Sequence, residues 1–77
     1  MKITHEHVAH IRKAILADNT APTWPSYQAR GLSAKRWRWD RLYRAGLSLW
    51  ICDSVYPYAN DEHIDTVLRN IFPEVPA

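Results

Sequence analysis

Arg36, Trp37, Arg38, Arg41 and Arg44 crowd into one short run, Lys35-Arg36-Trp37-Arg38-Trp39-Asp40-Arg41-Leu42-Tyr43-Arg44, and no other stretch of the chain is so well equipped for binding chemistry. Guanidinium forks pair with phosphates or carboxylates, and a tryptophan among them can stack on a base or anchor a protein partner. At about 100° per residue, a helical wheel puts Trp39, Leu42, Tyr43 and Gly46 on one face, the expected core. Arg36, Asp40, Arg41 and Arg44 take the opposite side. Trp37 projects among them, about 160° from Trp39, which predicts a tryptophan set in a basic surface. A plainer reading stands beside this one. Arg36, Asp40 and Arg44 recur every four residues and suit a solvated ion-pair ladder, and Trp37 can be covered by Trp24, Tyr27 or Trp50.

The other reactive side chains point away from catalysis. His5, His7 and His10 surround Glu6, but the spacing of a zinc-protease helix, His-Glu-x-x-His, is missing: Ala9 stands four residues after His5, and no glutamate follows His7. Two histidines three apart do not make a metal site, and these are expected to be surface residues with no special role. Cys52, the lone cysteine, lies in Leu49-Trp50-Ile51-Cys52 and is expected to be a buried, inert thiol. Asp61 and Glu62 suit a helix N-terminus, while Asp53 and Asp65 suit ordinary ion pairing. With two glycines in all, Gly31 and Gly46, there is no phosphate-cradling loop. The expectation is a protein that is not an enzyme and carries no metal and no cofactor.

Whatever these residues do, a small scaffold has to position them. In 77 residues, nearly every apolar side chain is needed for one core. A hydrophobic content of 47% against 23% charged residues predicts a folded domain instead of a disordered tail. No apolar run approaches the roughly 18 residues of a membrane span, and Met1-Lys2-Ile3-Thr4-His5-Glu6 lacks a signal-peptide core, so the expected setting is cytoplasmic. The net charge of +2 is polarised: Arg30 to Arg44 carries +5 and residues 53 to 77 carry −4.

Helical signals recur along the whole chain. Thr4 caps a first helix to about Ala17, with Val8, Ile11 and Ile15 at helical spacing, and Asp18-Asn19-Thr20-Ala21-Pro22 ends it. Pro25 fits the first turn of a short helix running to Arg30. Gly-Leu-Ser then occurs twice, at Gly31 and, 15 residues later, at Gly46. Glycine closes a helix in the left-handed conformation, leucine folds back over the last turn, and serine caps the next helix. This predicts helices over about Ala34 to Ala45 and Leu49 to Tyr56, the latter halted by Pro57. Asn60 or Asp61 caps the last, whose stripe is Ile64, Val67, Leu68 and Ile71, with Pro73 as its stop. The fold expected is all-α, a compact single-domain bundle of four or five short helices.

From Tyr27 to Ile71, through Gly31-Leu32-Ser33, Arg38-Trp39-Asp40, Ala45-Gly46-Leu47, Trp50-Ile51-Cys52-Asp53 and Asn60-Asp61-Glu62-His63-Ile64-Asp65-Thr66, the chain resembles small uncharacterised proteins encoded by bacteriophages, prophages and other mobile elements. The resemblance implies a phage accessory protein that binds and modulates or inhibits a host or phage protein complex, including defence systems such as CRISPR effectors; the basic helix face read above, not the resemblance, makes Arg36, Trp37, Arg38, Arg41 and Arg44 the expected contact residues. The alternative is a small DNA-binding regulator of helix-turn-helix-like type. That reading requires the acidic last helix to point away from the nucleic acid. So small a domain with so many aromatics is also compatible with a homodimer.

Overall fold

A computed structural model of the chain describes residues 3–76. Five helices run in order: α1 His5–Ala17, α2 Trp24–Ala29, α3 Ala34–Arg44, α4 Ser48–Ser54 and α5 Asp61–Ile71. The fold is the expected all-α bundle, with no strand among the described residues.

Local chemistry explains where each helix starts and stops. Thr4 accepts the His7 N–H on its hydroxyl while His7 Nδ1 accepts the Thr4 N–H, and Asn60 and His63 do the same at the head of α5. Both are capping boxes with histidine where glutamate or glutamine is usual. Pro25 lies in the first turn of α2, as its missing N–H allows. The two glycines take positive φ, +75° at Gly31 and +76° at Gly46, so each tripeptide does close a helix. The serines behave differently from one another. Ser33 accepts the Arg36 N–H and caps α3, whereas Ser48 is already inside α4, whose N-cap is Leu47 with no side-chain hydrogen bond. The second Gly-Leu-Ser is therefore a stop without a side-chain start, and its leucine is spent on the core instead.

That core is Ile11 and Ile15 of α1, Tyr27 of α2, Trp37 and Leu42 of α3, Leu47, Ile51 and Val55 around α4, Ile64, Val67, Leu68 and Ile71 of α5, and Phe72 just after it. Helix α3 packs against α1, α2 and α5, so every change of face on α3 changes the whole interior. Each fully buried Ile or Leu contributes about 1.5–3 kcal/mol.

Candidate partner-binding surface

Helix α3 is rotated relative to the expected wheel. Its buried stripe is Ala34, Trp37, Arg38 and Leu42, at the helical spacing of three and four. Trp37 is 4% exposed, and its indole Nε1 donates to the Pro22 carbonyl at 2.9 Å. Phe72 lies against its ring at 4.7 Å and Trp24 at 6.5 Å. The expectation of Trp37 on a basic surface is thus corrected: the side chain is a core anchor, and Trp24, one of the three covers considered, does pack on it. Tyr43, expected in the core, is 55% exposed, and Trp39 is half-buried.

Arg38 is corrected as well, because it is 1% exposed and faces inward. Nη1 donates to the Pro76 carbonyl at 2.8 Å, and Nη2 lies 3.6 Å from Asp65. Asp65 also accepts from Trp39 Nε1 at 3.2 Å and pairs with Arg69 at 3.0 Å. A buried guanidinium is tolerated because this carboxylate sits beside the apolar stripe of α5.

Arg41 and Arg44 tie α3 to the end of α1. Arg41 Nη2 donates to the carbonyls of Ile15 and Asp18 at 3.1 and 3.4 Å, which answers the orphan acceptors and negative end of α1. Its guanidinium also lies 5.5 Å from the Trp37 ring centre and 5.1 Å from that of Phe72. Arg44 Nε donates to Asp18 Oδ2 at 3.0 Å, and Nη2 reaches Thr20 Oγ1 at 3.3 Å. The Arg44 hydrogen bond holds the Asp18 carboxyl below the usual carboxylate range and raises the guanidinium in return. Of the five expected contact residues, only Arg36 and Arg44 are exposed, and Arg41 is half-buried. Arg36 pairs with Asp40 at 3.8 Å, one rung of the plain ion-pair ladder.

A different surface emerges around α4. Leu49 is 78% exposed, and Cys52, expected to be buried, lies exposed one turn further along the same helix face, followed by Tyr56 beyond the helix end. The spacing Leu49, Cys52, Tyr56 is three then four residues, a helical face left without a covering element, while Ile51 and Val55 fill the core side. Tyr43 joins this face from α3. The Tyr56 phenol donates to Asp61 and its pKa is pushed up to about 12, first by that bond and then by partial burial; Tyr43 and Cys52 are close enough that their ionised forms add to the shift. Sequence reasoning missed these residues because Leu49 and Cys52 stand in an unbroken apolar run. The signal was the two-residue offset between Leu49 and Ile51, which places them on nearly opposite sides of a helix.

The histidines have structural work that was not foreseen. Besides the capping role of His7, the His10 and His7 rings lie 4.3 and 5.7 Å from that of Trp50, holding α4 on α1. Among the described residues no three His, Cys, Asp or Glu side chains gather as metal ligands, and no helix is long and apolar enough to cross a membrane.

Against protein-family models, curated proteins and solved structures, the chain has no match.

Proposed function

We propose that this chain is a small non-enzymatic accessory protein of bacteriophage type that binds and modulates a protein complex of its host. The contact face is Tyr43, Leu49, Cys52 and Tyr56, with Asp61, bonded to Tyr56, at its rim. The observation that carries this reading is the exposure of Leu49 within a neighbourhood of exposed aromatic side chains. A single exposed leucine needs no explanation, but a cluster of tyrosines around one, bordered by charge, has the composition of an interface core and rim. Tyrosine is also one of the residue types that dominate binding energy at such surfaces. A defence complex such as a CRISPR effector is the finer identification, and it rests on the resemblance to phage-encoded proteins.

The nucleic-acid alternative has less support. It drew on five arginine and tryptophan positions, of which Trp37 and Arg38 are interior. In addition, Asp61 and Glu62 line the same surface depression as Lys35, so the acidic head of α5 adjoins the exposed start of α3, where a phosphate backbone would have to approach.

A photo-crosslinking side chain placed at Leu49 of the full chain tests the proposal in host extract. The expected result is one discrete protein adduct, absent when the same group is placed at exposed Gln28 on α2. Identical adducts from both positions, or none from Leu49, would count against this face.

A further inference from the structure

Beyond that face, the fold leaves an open groove of about 370 Å³ between the α1–α2 linker, α2, α3 and the segment following α5. The buried rings of Trp37 and Phe72 form its floor, and half-buried Trp24 and Pro22 stand along it, with Arg41 and Glu74 as its two charged residues.

Arg41 differs from its neighbours on α3. Arg36, Arg38 and Arg44 each have a carboxylate within ion-pair distance. Arg41 has none among the described residues: its hydrogen bonds go to two backbone carbonyls, its guanidinium lies near two aromatic rings, and its Nε, like that of Arg38, is buried with no hydrogen-bond partner. Asp18 is close enough for its charge to be felt, but its carboxylate is bonded to Arg44. Glu74 lines the groove without pairing to Arg41. A guanidinium partly stripped of water and lacking a counter-ion calls for an anion, and the aromatic lining calls for that anion on an apolar carrier. The groove is open, so a small free acid would stay largely in water, whereas a peptide can place two side chains in it and run on across the surface.

We infer that this groove binds a partner peptide in which an acidic side chain adjoins an aromatic one, the carboxylate facing Arg41 and the ring lying against Trp24. The site shares no residue with the Tyr43, Leu49, Cys52 and Tyr56 face, so either can fail without the other.

The test is an NMR titration of the full chain, following the indole N–H signals of the four tryptophans. The probes are acetyl-Pro-Phe-Asp-Pro-amide and its counterpart with Asn in place of Asp. The Asp peptide moves the Trp24 and Trp37 signals saturably, leaves Trp50 in place, and binds about tenfold more tightly than the Asn peptide, the effect of one charge-assisted contact. Because Arg41 also holds the end of α1, its replacement risks the fold, so exposed Glu74 supplies the variant: Glu74→Gln, which removes a repelling charge, tightens the Asp peptide about two- to threefold. Equal affinity for the two peptides, or no movement of the Trp24 and Trp37 signals, overturns the inference. So does inorganic phosphate moving the same signals as strongly, because the site would then take any free anion.

Discussion

The Arg38 guanidinium lies 3.6 Å from the Asp65 carboxylate, with the arginine side chain 2% and the aspartate side chain 12% exposed. The pair joins α3 to α5 inside the bundle, and the bond from Arg38 to the Pro76 carbonyl brings the segment after α5 over the same arginine. Removing Arg38 leaves Asp65 paired with Arg69 and bonded to Trp39 but empties a buried volume, at a cost of about 2–5 kcal/mol. That is comparable to the whole stability of so small a domain. Arg38→Ala is therefore largely unfolded in buffer, whereas Arg38→Met, which refills the volume, retains a cooperative urea transition. Circular dichroism with urea titration checks both, and a folded Arg38→Ala with near-native stability would contradict this role.

Trp37 contributes packing on Phe72 and a hydrogen bond to Pro22. The two are separable. Trp37→Phe keeps most of the packing but strands the Pro22 carbonyl, costing about 1–3 kcal/mol; Trp37→Ala costs about 3–5 kcal/mol. Chemical denaturation of both variants gives the split. A surface tryptophan would show losses within about 0.5 kcal/mol for either change.

Much of this fold was legible in the sequence, because capping residues, glycine stops and the stripe of α5 are local signals that tertiary contacts did not override. The face of α3 was not. Tryptophan occurs at both 37 and 39, so apolar periodicity had no unique phase, and Arg38 falls on the inward stripe, where hydropathy does not expect it. What fixes the phase is remote in sequence: Asp65 beside the apolar stripe of α5, the Pro22 carbonyl, and the carbonyls at the end of α1. The surface around Leu49 was hidden for a related reason. A seven-residue helix offers too few turns to show which side of an apolar run is covered.

Two phenols report the tertiary contacts through pH. Tyr27 donates to Asp40 at 2.7 Å and Tyr56 to Asp61, and in each case the carboxylate acceptor holds the proton on the phenol. Raised folded-state values mean that the stabilisation is complete below the ordinary tyrosine value of 10.0 and is lost as pH rises, for Tyr56 through about 12. In an ultraviolet titration of the folded chain, two of the four tyrosines ionise late, and Asp61→Asn moves one of them back toward 10.0. A titration unchanged by Asp61→Asn would contradict the assignment.

The histidine capping boxes make a substitution prediction with opposite signs. His63→Glu supplies the usual partner at that position and adds a negative charge at the positive end of α5, so it preserves or raises thermal stability; His63→Ala loses the bond to the Asn60 N–H and costs roughly 0.5–1 kcal/mol. Thermal melts of the two variants should bracket the wild type. Equal destabilisation by both would show that His63 acts otherwise than as a cap.

Partner binding is proposed to use the face around Leu49 and not the basic residues of α3. The most direct measurement is quantitative affinity purification from host extract with three full-length baits of verified fold: wild type, Leu49→Asp and Arg36→Ala. The expected result is a protein retained by wild type and by Arg36→Ala and reduced at least about tenfold by Leu49→Asp, because a charge placed at the centre of an apolar contact costs more than about 1.4 kcal/mol. Retention indifferent to Leu49→Asp but abolished by Arg36→Ala would contradict it and return the binding surface to the basic residues of α3.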